Sequence, residues 1–271
     1  MCLLLFAYRC HTEYPLLLFA NRDEYYRRPT QPAARWPDTD LVAGRDLQGG
    51  GTWAGVAPGR VAAVTNIREP LQPVPVDPLS RGDIPLAFLR HRVLPARYAA
   101  TLKLSRYRGF NALLYQHGAV GELICAGNRH QPFAFTPGIH GISNGAPDAP
   151  WPKVKKGKRL IAQLLQGIDT QLSDDNFVSP GLALLQDRQP GAEAALPDTG
   201  VSKQMELALS PIFVQIGRGD LPAAYADDPS GGYGTRASTL VAVDKDGHIQ
   251  FWEQSYQRGE KLAPLRHFAL D

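Results

Sequence analysis

The sequence predicts an α+β fold of four layers, αββα, in which two antiparallel sheets lie face to face and helices cover both outer faces. Three observations predict it. Apolar runs of strand length come in pairs joined by turn signals, Pro58-Gly59 and Asp246-Gly247 among them, which marks antiparallel hairpins. Helix-period segments fall in groups between groups of strands, so the single crossover helices of a parallel sheet are not expected. The first strands are apolar at every position, as strands buried on both faces are.

In chain order, Cys2–Tyr8 and residues 15–20 read as two neighbouring strands. Residues 26–51 are rich in Pro, Arg, Asp and Gly, and only 41–43 look strand-like, so this stretch reads as a long functional loop. Residues 52–57 and Arg60–Asn66 form the first hairpin. Residues 67–78 carry four prolines and read as an extended surface loop. A helix follows Ser80, with Asp83 and Pro85 suited to its first turn and Leu86, Leu89, Arg90 and Val93 at helical spacing. Pro95 restarts a second helix through Leu104.

Strands resume at Phe110–Gln116 and 120–126 across a His117-Gly118 turn, with shorter pieces near 132–136 and 140–143. Pro150-Trp151-Pro152 introduces a helix over 153–166, apolar along Leu160, Ile161, Leu164 and Leu165. Two more helical segments read near 174–187 and 201–209. A glycine-rich turn at 230–234 precedes strands at 235–244 and 249–255. No internal repeat or linker breaks the chain, so one domain over residues 1–271 is expected.

Composition excludes several classes. The apolar content of 44% is that of a globular protein, and the net charge of +3 is spread thinly, which gives no basis for nucleic-acid binding. The one basic run, Lys153, Lys155, Lys156, Lys158 and Arg159, reads as a solvated helix start. Three cysteines, Cys2, Cys10 and Cys125, cannot all pair and show no metal or haem-attachment spacing, which fits a reducing compartment. The apolar runs are too short to span a bilayer and lack the basic flank of a signal peptide, so a soluble cytoplasmic protein without a metal is expected.

The chemistry centres on Cys2. Removal of Met1 would place a thiol and an α-amine on one residue, and an α-amine with a pKa near ~8 can take the proton of its own thiol. Asn21-Arg22-Asp23-Glu24 closes the second strand with a cation and two carboxylates. Other strands close on Asn66 and Asn144, and Arg236 opens one. Thiolate attack on an amide needs donors at the developing oxyanion, work that the two Asn side chains can share. Arginine favours a thiolate and grips carboxylates. Strand alternation puts Asp23 opposite Arg22 and Glu24 beside it, so either carboxylate is a candidate to orient the amine. Trp53 and Glu24 are candidates for substrate contact. Taken singly, each has a plainer structural account: turn residues for the two Asn, an ion-pair cluster for residues 22–24, a core aromatic for Trp53.

Together, Met1-Cys2, Asn21-Arg22-Asp23-Glu24, Gly50-Gly51-Thr52-Trp53-Ala54-Gly55-Val56, Thr65-Asn66, Leu79-Ser80-Arg81-Gly82, Ser143-Asn144 with Pro150-Trp151-Pro152-Lys153, and Gly234-Thr235-Arg236-Ala237-Ser238-Thr239 resemble the NRDE family, that of the transport and Golgi organisation protein 2. More distantly the pattern is similar to N-terminal-nucleophile hydrolases of the choloylglycine hydrolase and penicillin V acylase type. That resemblance implies an αββα fold and hydrolysis of a small non-peptide amide or acyl substrate without a cofactor. It implies Cys2 as nucleophile with Arg22 beside it, Asp23 on the amine, Asn66 and Asn144 as oxyanion and amine-orienting groups, and Arg236 as support. The adjacency of Asp23 to Arg22 departs from the hydrolase spacing. The family also implies an alternative, a non-catalytic haem, lipid or acyl-coenzyme A carrier, with Cys10-His11 or His140 as candidate iron ligands.

Overall fold

A strand buried on both faces needs no polar residue, and the first strand has none among its described side chains: Leu4, Phe6 and Tyr8 alternate with Leu3, Leu5 and Ala7, each set packed in a different apolar cluster. The computed structural model describes residues 2–37, 39–119, 122–168, 170–220 and 231–271. Within them the chain forms β1 (Cys2–Tyr8), β2 (Leu16–Tyr25), β3 (Thr30–Arg35), β4 (Val42–Asp46), β5 (Ala54–Ala57) and β6 (Arg60–Asn66). Helices α1 (Asp83–Arg90) and α2 (Pro95–Thr101) come next, then β7 (Phe110–Gln116), β8 (Leu123–Gly127), β9 (Phe133–Ala134) and β10 (Gly138–Ile142). Helices α3 (Pro152–Leu165), α4 (Ser179–Leu185) and α5 (Lys203–Ala208) precede β11 (Gln215–Ile216), β12 (Tyr233–Val243), β13 (Ile249–Gln257), β14 (Glu260–Lys261) and β15 (Arg266–Leu270).

These strands make two antiparallel sheets. The first runs β10-β1-β2-β12-β13-β14, with β15 also on β13 and β11 on β12; the second runs β3-β4-β5-β6-β7-β8-β9. Between them Phe6, Leu18, Val241 and Phe251 meet Val42, Val56, Leu113 and Tyr115. Helices α3 and α4 cover the outside of the first sheet, where Val154, Ile161 and Leu185 pack on Leu5, Phe19 and Leu240. Helices α1 and α2 cover the second through Ile84, Phe88 and Tyr98 on Ala62, Val64 and Leu114. The layers are helix, sheet, sheet, helix.

Several elements differ from expectation, each for a physical reason. Strand β2 does not stop at residue 20 but runs through the Asn-Arg-Asp-Glu stretch to Tyr25, because β1 and β12 flank it and partners exist for each polar side chain. The stretch 26–51 holds β3 and β4; Pro32 masks β3 in the sequence, and Pro is tolerated there because β3 is an edge strand. Tyr233 and Gly234 belong to β12 rather than to the glycine-rich turn, whose Ser230 lies outside the described residues, as do Val120 and Gly121. The segment 174–187 splits into a π turn at Asp174–Val178 and α4. The C-terminal β15 carried no sequence signal.

The basic run also needs correction. Lys153 is 3% exposed and packs inside the first turn of α3, while Lys156 bonds Asp187 at 2.6 Å and Lys158 bonds Asp148 at 2.8 Å. Among the described residues no helix is long and apolar enough to cross a membrane.

Gly44 in β4 lies directly under the Trp53 ring, which occupies the place a Cβ would take. Gly44→Ala should therefore displace Trp53 and cost about 1–3 kcal/mol in urea unfolding, the usual range for overpacking. A change within about 0.5 kcal/mol, typical of an inconsequential surface substitution, would mean that the ring does not rest on Gly44.

Candidate functional site

Strand alternation divides residues 21–24 between two environments. Asn21 and Asp23 face the helices of the first sheet. Asn21 Nδ2 donates to the carbonyls of Leu185 (2.8 Å) and Ile212 (2.9 Å), and its Oδ1 accepts from Ser238 Oγ (2.6 Å). Asp23 Oδ1 accepts from Thr235 Oγ1 at 2.7 Å. Burial pushes the Asp23 carboxyl up, with Lys153, the chain's amino terminus and the Thr235 hydrogen bond opposing. Arg22 and Glu24 instead lie between the sheets. Cys2 pairs with Arg22 in the β1–β2 register, and its position continues the period-two series of Leu4, Phe6 and Tyr8, the inter-sheet set.

Arg22 is 4% exposed yet charged, so it must find partners in a largely apolar setting. Its Nη1 donates to Thr30 Oγ1 (3.2 Å), Nη2 lies 3.3 Å from Asp46 Oδ2, and the guanidinium sits 4.4 Å above the Trp53 ring. Asp46 also accepts from Arg28 Nε at 2.7 Å and from the backbone N–H groups of Gln48 and Gly49, both at 3.0 Å. Burial raises the Asp46 carboxyl, but the Arg28 bond, the Gly49 N–H and the two arginine charges outweigh it, and the net shift is downward. Glu24 stands 3.9 Å from Arg22 and 3.7 Å from Arg28.

The two strand-terminal asparagines touch, and their roles differ. Asn144 Nδ2 donates to the backbone carbonyl of Asn66 (3.0 Å) and to Asn66 Oδ1 (3.1 Å). A carbonyl only accepts, so the Asn144 amide is fixed with nitrogen toward Asn66. The oxygen of Asn66 is thereby engaged, and its Nδ2 is left as the outward donor, with no hydrogen-bond acceptor among the described residues. Asn144 is buried and positions; Asn66 is half-buried and faces the space in front of it.

That space is a cleft of about 530 Å³ lined by Arg22, Glu24, Trp53, Asn66, Arg81 and Arg108, among others. Its wall depends on a close backbone approach: a Cβ on Gly51 would strike the backbone of Gly82, and the Thr52 N–H donates to the Gly82 carbonyl at 3.1 Å. This explains why the segments 50–55 and 79–82 belong together. A second compartment of about 360 Å³ follows the proline-rich loop, with Ile67, Pro70, Pro73 and Val74 on its walls. Asn66, Arg81 and Arg108 line both and form the waist between them.

Arg236 stands apart from the cleft. Its Nη1 donates to the carbonyls of Tyr25 (3.1 Å), Tyr26 (3.0 Å) and Arg28 (3.2 Å), so it fastens the turn that carries Arg28. A register irregularity between Thr235 and Ala237 frees the residue to point that way.

Sequence reasoning missed Asp46, Arg28, Lys153, Arg81 and Arg108. Asp46 and Arg28 sat in a stretch without periodicity. Arg81 was visible only as part of the Leu79-Ser80-Arg81-Gly82 segment. Two other clusters carry no chemistry. Cys125, His130 and Asn111 imitate a thiol–imidazole–amide triad, with Cys125 Sγ 3.9 Å and Asn111 Oδ1 3.0 Å from the imidazole, but both meet the same nitrogen, Nε2. Cys125 is buried, and burial drives its thiol far above the ordinary range. Asp244, Asp246 and His248 form an exposed or half-exposed hairpin cluster whose bonds are internal to the turn.

The candidate haem ligands are already engaged. His140 holds Asp148 Oδ2 at 2.7 Å and the Thr136 carbonyl at 2.9 Å, and His11 meets the Ile168 carbonyl at 3.2 Å and the Glu13 N–H at 3.1 Å. Cys10 Sγ faces the Tyr8 carbonyl at 3.5 Å. An iron bond from either imidazole would first displace one of these partners, so these residues do not fit haem.

A family model described as Transport and Golgi organisation 2 matches residues 1–258. The chain is 32% identical to the Transport and Golgi organization protein 2 homolog of Homo sapiens over 270 residues, 94% of this chain and 93% of that protein. It is 31% identical to the Mus musculus homolog over the same shares of both chains, and 24% identical over 281 residues to Transport and Golgi organization protein 2 of Drosophila melanogaster, 94% and 92% of the two chains.

Asn144→Leu removes the donor to Asn66 and takes that partner from two half-buried acceptors. A loss of about 1–3 kcal/mol in chemical unfolding is expected. An unchanged midpoint would contradict the positioning role.

Proposed function

The chain belongs to the Transport and Golgi organisation 2 family, and on that premise we propose that it is a cysteine hydrolase of the N-terminal-nucleophile type, acting on a small amide or acyl substrate. The observation that carries this reading is the pairing of Cys2 with Arg22 at a cleft where Asn66 offers an outward donor. The four layers are then those of this hydrolase type.

In this mechanism, removal of Met1 exposes the α-amine of Cys2, which takes the thiol proton. The thiolate adds to the substrate carbonyl carbon, and the oxyanion accepts a hydrogen bond from Asn66 Nδ2. The C–N bond then breaks, the ammonium returns its proton to the leaving amine, and the acyl group stays on sulfur as a thioester. Water adds to that thioester, gives a proton to the amine, and releases the carboxylic acid with the thiol regenerated. Arg22 favours the thiolate beside it. Asp23 is assigned to the amine because Glu24 is already engaged with the Tyr25 N–H at 2.9 Å and with Arg22 and Arg28. Two arginines at the waist, Arg81 and Arg108, favour a substrate that carries a negative group.

A β-lactone acylating probe, offered as a carboxylate-bearing and a neutral version, tests both parts by intact mass and peptide mapping. The adduct should fall on an N-terminal Cys2 and vanish in Cys2→Ala, and Asn66→Ala should slow acylation by about 100 to 1000-fold, the usual effect of one oxyanion donor. The carboxylate version should react faster, an advantage lost when Arg81 and Arg108 are both changed to Gln. Equal labelling of Cys2→Ala would end the hydrolase reading; equal rates for the two probes would end only the charge preference.

A further inference from the structure

Strand β13 buries a carboxyl that the reaction above does not use. Glu253 is 1% exposed and projects into the space between the sheets, where its Oε1 accepts the Ala33 N–H at 2.6 Å. Arg266, directly opposite Glu253 in the β13–β15 register, donates from Nη1 to the Ala33 carbonyl at 3.0 Å. Ala33 lies in the irregular stretch of β3, after Pro32 and within the register shift between Gln31 and Ala34. Its peptide groups are thus outside the regular ladder, and the first sheet supplies partners for both.

The second oxygen of this carboxyl, Oε2, has no hydrogen-bond partner among the described residues. Neither has Nε1 of Trp53, whose ring lies beneath Arg22. Arg22 and Glu253 occupy the same inter-sheet face one register row apart: Arg22 aligns with Ala237 and Ser255, and Ala20 with Thr239 and Glu253. The charges acting on Glu253 are Arg22 from β2 and Arg266 from β15; β3 meets it with the Ala33 peptide and β12 with Thr239.

We propose that Glu253 is a proton-responsive latch between the two sheets that positions Arg22. Neutral, it holds β3 and leaves Arg22 to Asp46 and the cleft. Ionised, with its proton released to solvent, it is a buried charge that needs a cation, and its second oxygen draws the guanidinium inward from Asp46. Arg22 can respond because its bonds to Thr30 and Asp46, at 3.2 and 3.3 Å, are long for charge-assisted contacts. Burial pushes the Glu253 carboxyl up to about 7, against the Ala33 N–H and the two arginine charges, so both forms are populated near neutrality. The folded value lies above the unfolded one of ~4.3, so the stability contributed by the protonated form is complete below that pH and is lost as pH rises through about 7.

The latch is independent of whether Cys2 reacts, and its test is spectroscopic. In 15N-labelled protein the Trp53 indole N–H, identified among the four tryptophans by Trp53→Phe, is followed from acid to alkaline pH. Wild type should show a transition with a midpoint near 7, and Glu253→Gln should abolish it. Among the described residues no histidine lines the cleft, but a free α-amine ordinarily titrates in a similar range, so the Glu253→Gln arm is what assigns the signal. Arg266→Gln removes an opposing cation and should move the midpoint upward, which keeps the test decisive should Glu253→Gln not fold. A wild-type signal that does not titrate, a transition that survives in Glu253→Gln, or an Arg266→Gln midpoint that stays or falls would overturn the proposal.

Discussion

A guanidinium held between two apolar sheets is the constraint on which the rest of this architecture turns. Arg22 reaches the inter-sheet space because strand alternation allows it no other direction, and once there it must be matched in charge and hydrogen bonding. Its partners come from the opposite sheet: Thr30 from β3, Asp46 from β4 and the face of Trp53 just before β5. The irregular chain between β2 and β5 is what delivers them. Gly44, the Gly51–Gly82 approach and the Arg236 clamp on the Tyr25–Arg28 turn all serve to hold those partners in place.

The same logic separates residues by task. Asn21 and Asp23, on the other face of β2, knit the sheet to its helices and are satisfied by Leu185, Ile212, Ser238 and Thr235. Asn144 positions Asn66, and of these two asparagines it is Asn66 whose amide N–H faces the cleft. Asp46 shares its charge between Arg22 and Arg28, which leaves room for a thiolate as a further counter-charge to Arg22. A nucleophile placed on this face would meet a cation and an amide donor at once. Cys125, which is buried, meets neither.

Much of this was legible in the sequence where local rules dominate. Period two alone put Arg22 with Glu24 and Asp23 opposite, and the apolar runs with Pro58-Gly59 and Asp246-Gly247 set both hairpins. The illegible parts depend on long-range partners. Strand β3 contains a proline and few apolar residues, and exists because β4 pairs with it and Glu253 and Arg266 complete its irregular peptide. Lys153 looked like one more solvated lysine because nothing local signals that Asp23, from β2, lies within its field. Asp46 and Arg108 join the cleft through the fold alone, and β15 was silent because its residues are mostly exposed.

In the proposed function Arg22 tunes a nucleophile at Cys2, and the pKa of that thiol tests this most directly. The rate of iodoacetamide alkylation at Cys2, followed by mass spectrometry across pH in the Met1-processed protein, yields that value. A midpoint below the unperturbed ~8.5 is expected in wild type, with a rise toward or above it in Arg22→Gln. A midpoint at or above ~8.5 that Arg22→Gln leaves unmoved would contradict it.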